Sequence, residues 1–336
     1  MTKRRIVITG GAGFIGSQLG HKLHQEGNEV VLVDDMSFGY DDNLVIDGAR
    51  FGTFIKADIR KQEIFEIFKD TDTVFHFAGI SALPVCQENP YYAIDVNVAG
   101  TANVLEAARI NNVRRVVFAS TSAIYENNTD FPTRESDAVS PYLVYSTSKW
   151  QSEQLCKSYY KTYGLEVAII RFFNVYGPHQ DFKRLSPPLT SYLIKCFLKG
   201  EQPVLHSSGT QKRDYVFVDD LNRLNVLCMN HPNAPGNIFN AASGKSYSVI
   251  EIYDTLALAF KTDIKASFRP ASKFWDKYPK LFEGSKPFPT SLLEKEVNKF
   301  SLGDTSHTEK TIGWKAEIDL KEGMEQTAAY AMKLGL

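Results

Sequence analysis

The sequence predicts an α/β fold, a doubly wound parallel sheet that carries a smaller, mixed C-terminal lobe. Three observations lead there. Short β-branched runs alternate with longer amphipathic stretches over the first half of the chain, a glycine-rich turn follows the first run, and after Arg171 the texture changes to loops rich in Pro, Gly and Ser. Strand-helix alternation implies parallel strands covered on both faces, with ligands bound beyond their carboxyl ends.

Residues 5–9, 29–33, 51–56, 73–78, 115–120 and 166–171 read as buried strands, because each is a short run rich in Val, Ile and Phe. Residues 15–25, 61–68, 99–111 and 145–163 read as the helices between them. Later helices are shorter, at 190–198 and 250–259, and the chain is expected to return to the sheet once, at 214–218 and the helix after it. We therefore expect a dinucleotide-binding domain over 1–174, with 212–242 returning to it, and a substrate lobe from 175–211 and 243–336. Residues 270–299 concentrate charge and proline without a period and are expected to form an inserted loop or lid.

The 336 residues are 43% hydrophobic, which excludes a disordered chain, and 38 Lys and Arg balance 39 Asp and Glu. A net charge of −1 gives no general pull toward nucleic acid or an anionic membrane surface. No apolar run approaches the ~18 residues that span a bilayer. Cys86, Cys156, Cys196 and Cys228 form no C-x-x-C pair and read as reduced thiols of a cytoplasmic protein. No metal site is expected.

Directly after the first strand, Gly10, Gly13 and Gly16 fall three apart where a helix begins. Such a turn lets the backbone approach a pyrophosphate and points a helix N-terminus at it. At the end of the second strand stands Asp34, a carboxylate suited to ribose hydroxyls that repels a 2′-phosphate, so NAD is favoured over NADP. Asp58 and Ile59 follow the third strand and either receive the adenine or cap a helix.

Tyr145 and Lys149 form a Y-x-x-x-K that places a phenol and an ammonium on one helix face. Making that phenol a base near pH 7 takes ~4 kcal/mol. One unit charge ~4 Å away supplies about that much at an effective dielectric of ~20, so Lys149, helped by the positive nicotinamide of NAD⁺, is sufficient in principle. Ser120, Thr121 and Ser122 put hydroxyls at the tip of a buried strand, where they can bond a substrate alkoxide.

With these motifs in order, and with His76-Phe77-Ala78-Gly79, Asn97, Arg171-Phe172-Phe173-Asn174, Arg213-Asp214 and Gly313-Trp314, the chain resembles the extended short-chain dehydrogenase/reductase family, the NAD-dependent nucleotide-sugar epimerases and dehydratases. The resemblance implies a Rossmann-type domain. It implies cofactor contacts from Gly10, Gly13, Phe14, Ile15, Gly16, Asp34, Asp58, Ile59, Phe77, Ala78, Gly79, Asn97, Ser120, Tyr145, Lys149 and Phe172. It also implies catalysis by Thr121, Tyr145 and Lys149, and a nucleotide-sugar site from Thr121, Ser122, Ala123, Tyr145, Asn174, Arg213, Arg269 and Ser301.

Within that resemblance, dehydratases carry Asp-Glu after the catalytic Thr, and decarboxylases a Glu, where this chain has Ser122 and Ala123. A 4-epimerase needs neither, so 4-epimerisation through a transient 4-keto sugar is the leading expectation. The missing Arg-Gln-Arg at His179-Gln180-Asp181 disfavours a uronic acid, and small Ser301 leaves room for an N-acetyl group. UDP-GlcNAc/UDP-GalNAc or UDP-Glc/UDP-Gal are the expected pairs. Another reaction of the same family is the alternative (a uronate epimerase or decarboxylase, a dehydratase or a 4-keto reductase), and a non-catalytic NAD-binding sensor or scaffold is a more remote one.

Three departures stand out. Relatives place the tyrosine directly after Ser-Pro, which would select Tyr142; the spacing to Lys149 selects Tyr145. Glu126 stands where relatives have Gly, either facing the sugar or as a plain loop residue, and 270–299 is extra. Helices 99–111 and 145–163 resemble the pair that dimerises many relatives, so a homodimer is expected.

Overall fold

The computed structural model describes residues 3–334. The six expected strands, β1 (Arg5–Thr9), β2 (Glu29–Asp34), β3 (Thr53–Lys56), β4 (Thr73–His76), β5 (Arg115–Thr121) and β6 (Glu166–Phe172), lie in one sheet with a seventh, β7 (Ile238–Ala241). Their order is β7-β6-β5-β4-β1-β2-β3 and every pairing is parallel. The order reverses beside β1, between β2 and β4. A crevice opens at such a switch point, outside the carboxyl ends of the strands.

Side chains alternate across the pleat, so each strand feeds two cores. Ile6, Ile8, Leu32, Phe75, Val117 and Ile170 share a cluster with Leu19 and Leu23 of α1 (Phe14–Gln25). Val7, Val31, Val74, Val116 and Ile169 share the second cluster with Val104 and Leu105 of α2 (Gly100–Ile110) and Cys156 of α3 (Val144–Tyr163). Each fully buried aliphatic side chain contributes about 1.5–3 kcal/mol. Gly164 ends α3 in the left-handed conformation at φ +70°, which costs glycine nothing.

The expected return to the sheet is corrected for its strand at 214–218 and not for the helix after it. Lys212–Phe217 pairs with Asn174–Tyr176 and Ser246–Ser248 in a separate three-stranded sheet. The return is made by α4 (Val218–Asn230), whose Leu221 and Leu224 join the first core, and by β7, which pairs with β6. The four residues of β7 include a buried Asn240, so the more apolar run at 214–218 gives the stronger strand signal.

The lobe has its own core of Leu193, Phe197, Phe217, Ile252, Leu256 and Met324. Segment 270–299 is more than a loop. Trp275, Tyr278, Leu281 and Phe288, with Leu293 and Val297 of α5 (Thr290–Asn298), form a small core that also takes in Leu143. Its apolar residues come partly from short turns, Ala271–Lys273 and Pro279–Phe282, which explains the missing period. Among the described residues, no helix is long and apolar enough to cross a membrane. All four cysteines are buried and unpaired.

Candidate active site

A cavity of about 870 Å³ opens at the carboxyl ends of the strands and runs from the glycine turn to the lobe. Gly10 has φ +72°, and a Cβ there would lie 2.7 Å from the Ala78 nitrogen. A Cβ on Gly16 would meet the Gly10 carbonyl at 2.3 Å, so both positions need glycine for strand, turn and helix to touch. At Gly13 a Cβ would meet only the Gly10 oxygen, at 3.1 Å. The turn is therefore open on the Gly13 side, where α1 starts without a side-chain cap.

Asp34, 8% exposed, accepts N–H bonds from Ala12 (3.1 Å) and Met36 (2.9 Å), which tie it to the turn. Burial pushes its carboxyl up. Asp58 is gripped by Arg60, which also reaches Asp95 at 2.7 Å, and this holds the Asp58 carboxyl low. It caps no helix; with Ile59 it lines the cavity, as do Phe14, Ile15, Phe77, Ala78, Gly79, Ser120 and Phe172. Asn97 is the exception among the expected cofactor contacts. It sits behind the wall, 2% exposed, where its amide exchanges bonds with both backbone groups of Ile80 and donates to Ser148 at 3.0 Å. A sequence match cannot distinguish a residue that touches a ligand from one that braces the loop that does.

Tyr145 and Lys149 project from the first turns of α3 into the cavity, opposite Thr121 at the tip of β5. Tyr142 is not part of the cavity wall. The Lys149 ammonium, on a residue 6% exposed, lies 4.2 Å from the centre of the Phe118 ring, and burial pulls its pKa down to about 8. Burial pushes Tyr145 up to about 12, while the Thr121 hydroxyl and the Arg184 guanidinium act in the opposite direction. Among the protein's own groups desolvation outweighs the neighbouring charges for both residues, so the positive nicotinamide expected to help Lys149 is part of what lowers the phenol, and spacing along a helix carries no information about burial.

On the lobe side, Asn174 donates to the Asp214 carbonyl at 2.9 Å, and the Ser301 hydroxyl accepts the Asp214 N–H at 3.3 Å. Both line the cavity, together with Ser122, Ala123, Arg213 and Arg269. Arg213 donates to the carbonyls of Glu296 (2.8 Å) and Val297 (3.2 Å) at the end of α5. Burial lowers its pKa, and the nearby Glu296 carboxylate offsets that only in part. Arg269 is held by Asp276 and by the Lys273 carbonyl at 2.6 Å.

A family model described as the NAD dependent epimerase/dehydratase family matches residues 6–242. The chain belongs to that family. It is 35% identical over 328 residues, 97% of both chains, to a putative UDP-glucose 4-epimerase of Methanocaldococcus jannaschii. Among solved structures it is similar to a UDP-glucose 4-epimerase of Thermotoga maritima with UDP-glucose, at a TM-score of 0.87, 29% identity and coverage of 98% and 99% of the two chains. It is also similar to a UDP-N-acetylglucosamine 4-epimerase of Methanobrevibacter ruminantium in complex with UDP-N-acetylmuramic acid, at 0.86, 28% identity and coverage of 99% and 100%. Other relatives include a UDP-glucuronic acid decarboxylase and an NDP-hexosamine 5,6-dehydratase, so membership fixes an NAD-dependent enzyme and leaves the reaction open.

The groove of this epimerase-family enzyme fits NAD: an open Gly13 face, an uncapped helix start and a carboxylate at Asp34 match pyrophosphate and ribose. Several cavity residues escaped the sequence reading. Arg184 and Lys299 add cations with no periodic signal, beside Lys277 of the 270–299 segment. Behind Lys149, fully buried Glu153 pairs with Arg171 at 2.8 Å and accepts the Ser120 hydroxyl at 2.6 Å. Here a signal existed, since Tyr145, Lys149 and Glu153 follow one another at intervals of four.

Proposed function

We propose that this enzyme is a nucleotide-sugar 4-epimerase acting on a UDP-linked hexose or N-acetylhexosamine. The observation that carries this reading is the acid-base poverty around the catalytic pair. Thr121, Ser122, Ala123, Tyr145 and Lys149 line the cavity between the cofactor groove and the lobe, and the carboxylates on its lobe side are already engaged. Glu296 is held by Lys299 through both oxygens (3.0 and 2.9 Å), Asp276 by Arg269, and Asp181 by backbone N–H groups and the Tyr40 hydroxyl. Elimination and decarboxylation need a further acid or base; inversion at C4 does not.

NAD, when bound, supplies the acceptor and donor of the C4 hydride. Tyr145 takes the proton of the C4 hydroxyl and later returns it, Thr121 holds the same oxygen, and Lys149 offsets charge as the phenol ionises. Arg213 and Arg269 suit the two phosphates, since a guanidinium fork matches phosphate oxygens. Ser301 leaves the sugar pocket roomy on its side. Incubation with UDP-GlcNAc, UDP-glucose and UDP-glucuronate, followed by proton NMR, tests the reading: a C4 epimer supports it, whereas loss of water or carbon dioxide refutes it.

A second reading, a sugar with a carboxylate, draws support from Arg184. The expectation against a uronate rested on missing arginines at 179 and 181, yet Arg184 enters the same cavity near enough to Tyr145 to favour its ionised form. Exclusive turnover of UDP-glucuronate in the same panel would select this reading.

A further inference from the structure

The first turn of α3 carries Tyr145 but no cap of its own, since its N-cap residue is Leu143. The work is done from a distance. Oε1 of Glu126 accepts the backbone N–H groups of Tyr142 and Leu143 (2.9 Å for the latter) and the hydroxyl of Ser146 at 2.8 Å, and Gln87 takes the N–H of Val144 at 3.2 Å. Glu126 is 4% exposed and its second oxygen, also buried, has no partner among the described residues. A carboxylate there both satisfies orphan donors and complements the positive end of the helix. Glu126 is not part of the cavity wall, and its bonds run to the backbone and to Ser146 at the start of α3.

The same short stretch is where the lid attaches. Leu143 is a member of the lid core. Lys295 of α5 lies 4.9 Å from the centre of the Tyr142 ring and donates to Asn127, next to Glu126. The far end of α5 holds Arg213 through its last carbonyls, and the start of the lid holds Arg269 through Asp276. The segment thus engages one nitrogen of each guanidinium group expected to meet a diphosphate, and through Leu143, Tyr142 and Asn127 it also touches the start of the catalytic helix.

We propose that Glu126 is a positioning residue that couples the lid to the catalytic helix and thereby sets Tyr145 against the substrate. This rests on the assignment of Tyr145 as the catalytic base of a nucleotide-sugar epimerase. Displacing a reacting group by ~1 Å costs about a hundredfold, so Glu126→Ala lowers kcat about ten- to a hundredfold with KM and UDP affinity near those of the parent. Glu126→Gln, which keeps an acceptor oxygen for the same donors, recovers most of the loss. If Glu126→Ala does not fold, Glu126→Asp, one methylene short of its donors, takes its place with the same expected direction. Leu143→Ala, which loosens the lid side alone, lowers kcat in the same sense.

Two further readouts separate coupling from mere stability and from the epimerase reading. The ultraviolet titration difference between each protein and its Tyr145→Phe counterpart reports ionisation of that phenol without any turnover. It shifts in Glu126→Ala and returns in Glu126→Gln if the coupling exists. A folded Glu126→Ala protein with parental kcat and an unshifted Tyr145 titration overturns the proposal. A parent that turns over no sugar nucleotide, but whose Tyr145 titration still moves with Glu126, refutes the epimerase reading and leaves the coupling standing.

Discussion

In the cofactor groove, positions are set by backbone: Gly10 and Gly16 let a strand, a turn and a helix touch, and Asp34 is tied to that turn by two N–H bonds. In the lid, positions are set by side chains that meet from separate short segments, Trp275, Tyr278 and Phe288 closing on Leu143 from more than a hundred residues away. The first kind of site is encoded locally and the second only in the folded chain. The chemistry lies between them, on a helix whose Lys149 is packed on the sheet and whose first turn is held through Glu126 and the lid.

The largest effect tests which side of that divide owns the reaction. Tyr145→Phe removes a general acid-base group worth about a hundred- to ten-thousandfold in rate, whereas Tyr142→Phe, whose ring packs at the lid, leaves rate within about threefold. Initial rates on whichever nucleotide sugar the NMR panel identifies decide it. The opposite ranking would move the catalytic phenol to the lid's side and dissolve the comparison.

The next pair breaks one region at a time. Gly10→Ala forces a side chain into a left-handed conformation, about 1–3 kcal/mol of strain, and into the Ala78 backbone. Trp275→Ala empties a buried site at a cost of about 3–5 kcal/mol, confined to the lid core. Bound-cofactor content after gel filtration and UDP affinity by calorimetry should separate: Gly10→Ala loses cofactor, Trp275→Ala keeps cofactor and loses UDP. Loss of cofactor from both would mean that the lid is also part of the groove.

The same divide explains what could be read from the chain. The six strands, the glycine turn, Asp34 and the Y-x-x-x-K helix all have short-range patterns, because each is fixed by a period or by a steric need within a few residues. Asn97 matched a motif but braces a loop, Asp214 was expected in the main sheet but lies in a small one, and Glu126 gave no hint of capping a helix that starts eighteen residues later. Those roles depend on what the rest of the fold brings alongside. Burial is equally non-local, which is why the desolvation of Tyr145 and Lys149 has no trace in their spacing.

Burial of Lys149 gives the third effect its sign. Its pKa falls from 10.5 to about 8 on folding, so the folded state gives up that proton first. Below about pH 8 the protein carries the full cost of a buried ammonium, about 3 kcal/mol from that difference. The cost fades as pH rises from 8 toward 10.5. In cofactor-free protein, Lys149→Met should therefore unfold at higher denaturant concentration than the parent at pH 7, and the gap should narrow as pH climbs through that window. A gap that widens instead would mean that Glu153 pays for the charge, and that the groove side of the helix is electrostatically satisfied before cofactor arrives.

The smallest effect probes the lid's grip on the substrate side. Arg269 is expected to hold phosphate, and its Nη2 is engaged by Asp276 and the Lys273 carbonyl, both in the lid, while its buried Nε has no partner among the described residues. The pair is about a third exposed or more on each side, 34% and 43%, so breaking it costs only about 0–1 kcal/mol. Asp276→Asn keeps the shape of the side chain and removes the competing charge. Phosphate then meets a freer guanidinium, and UDP should bind up to about fivefold tighter by calorimetry, the ceiling that such a pair's energy sets. The gain should shrink as salt rises, because a half-exposed competition between charges is screened. Weaker binding would mean that Asp276 orients Arg269 for phosphate instead of occupying it, and the lid would then belong to the preformed part of the site, as the glycine turn does.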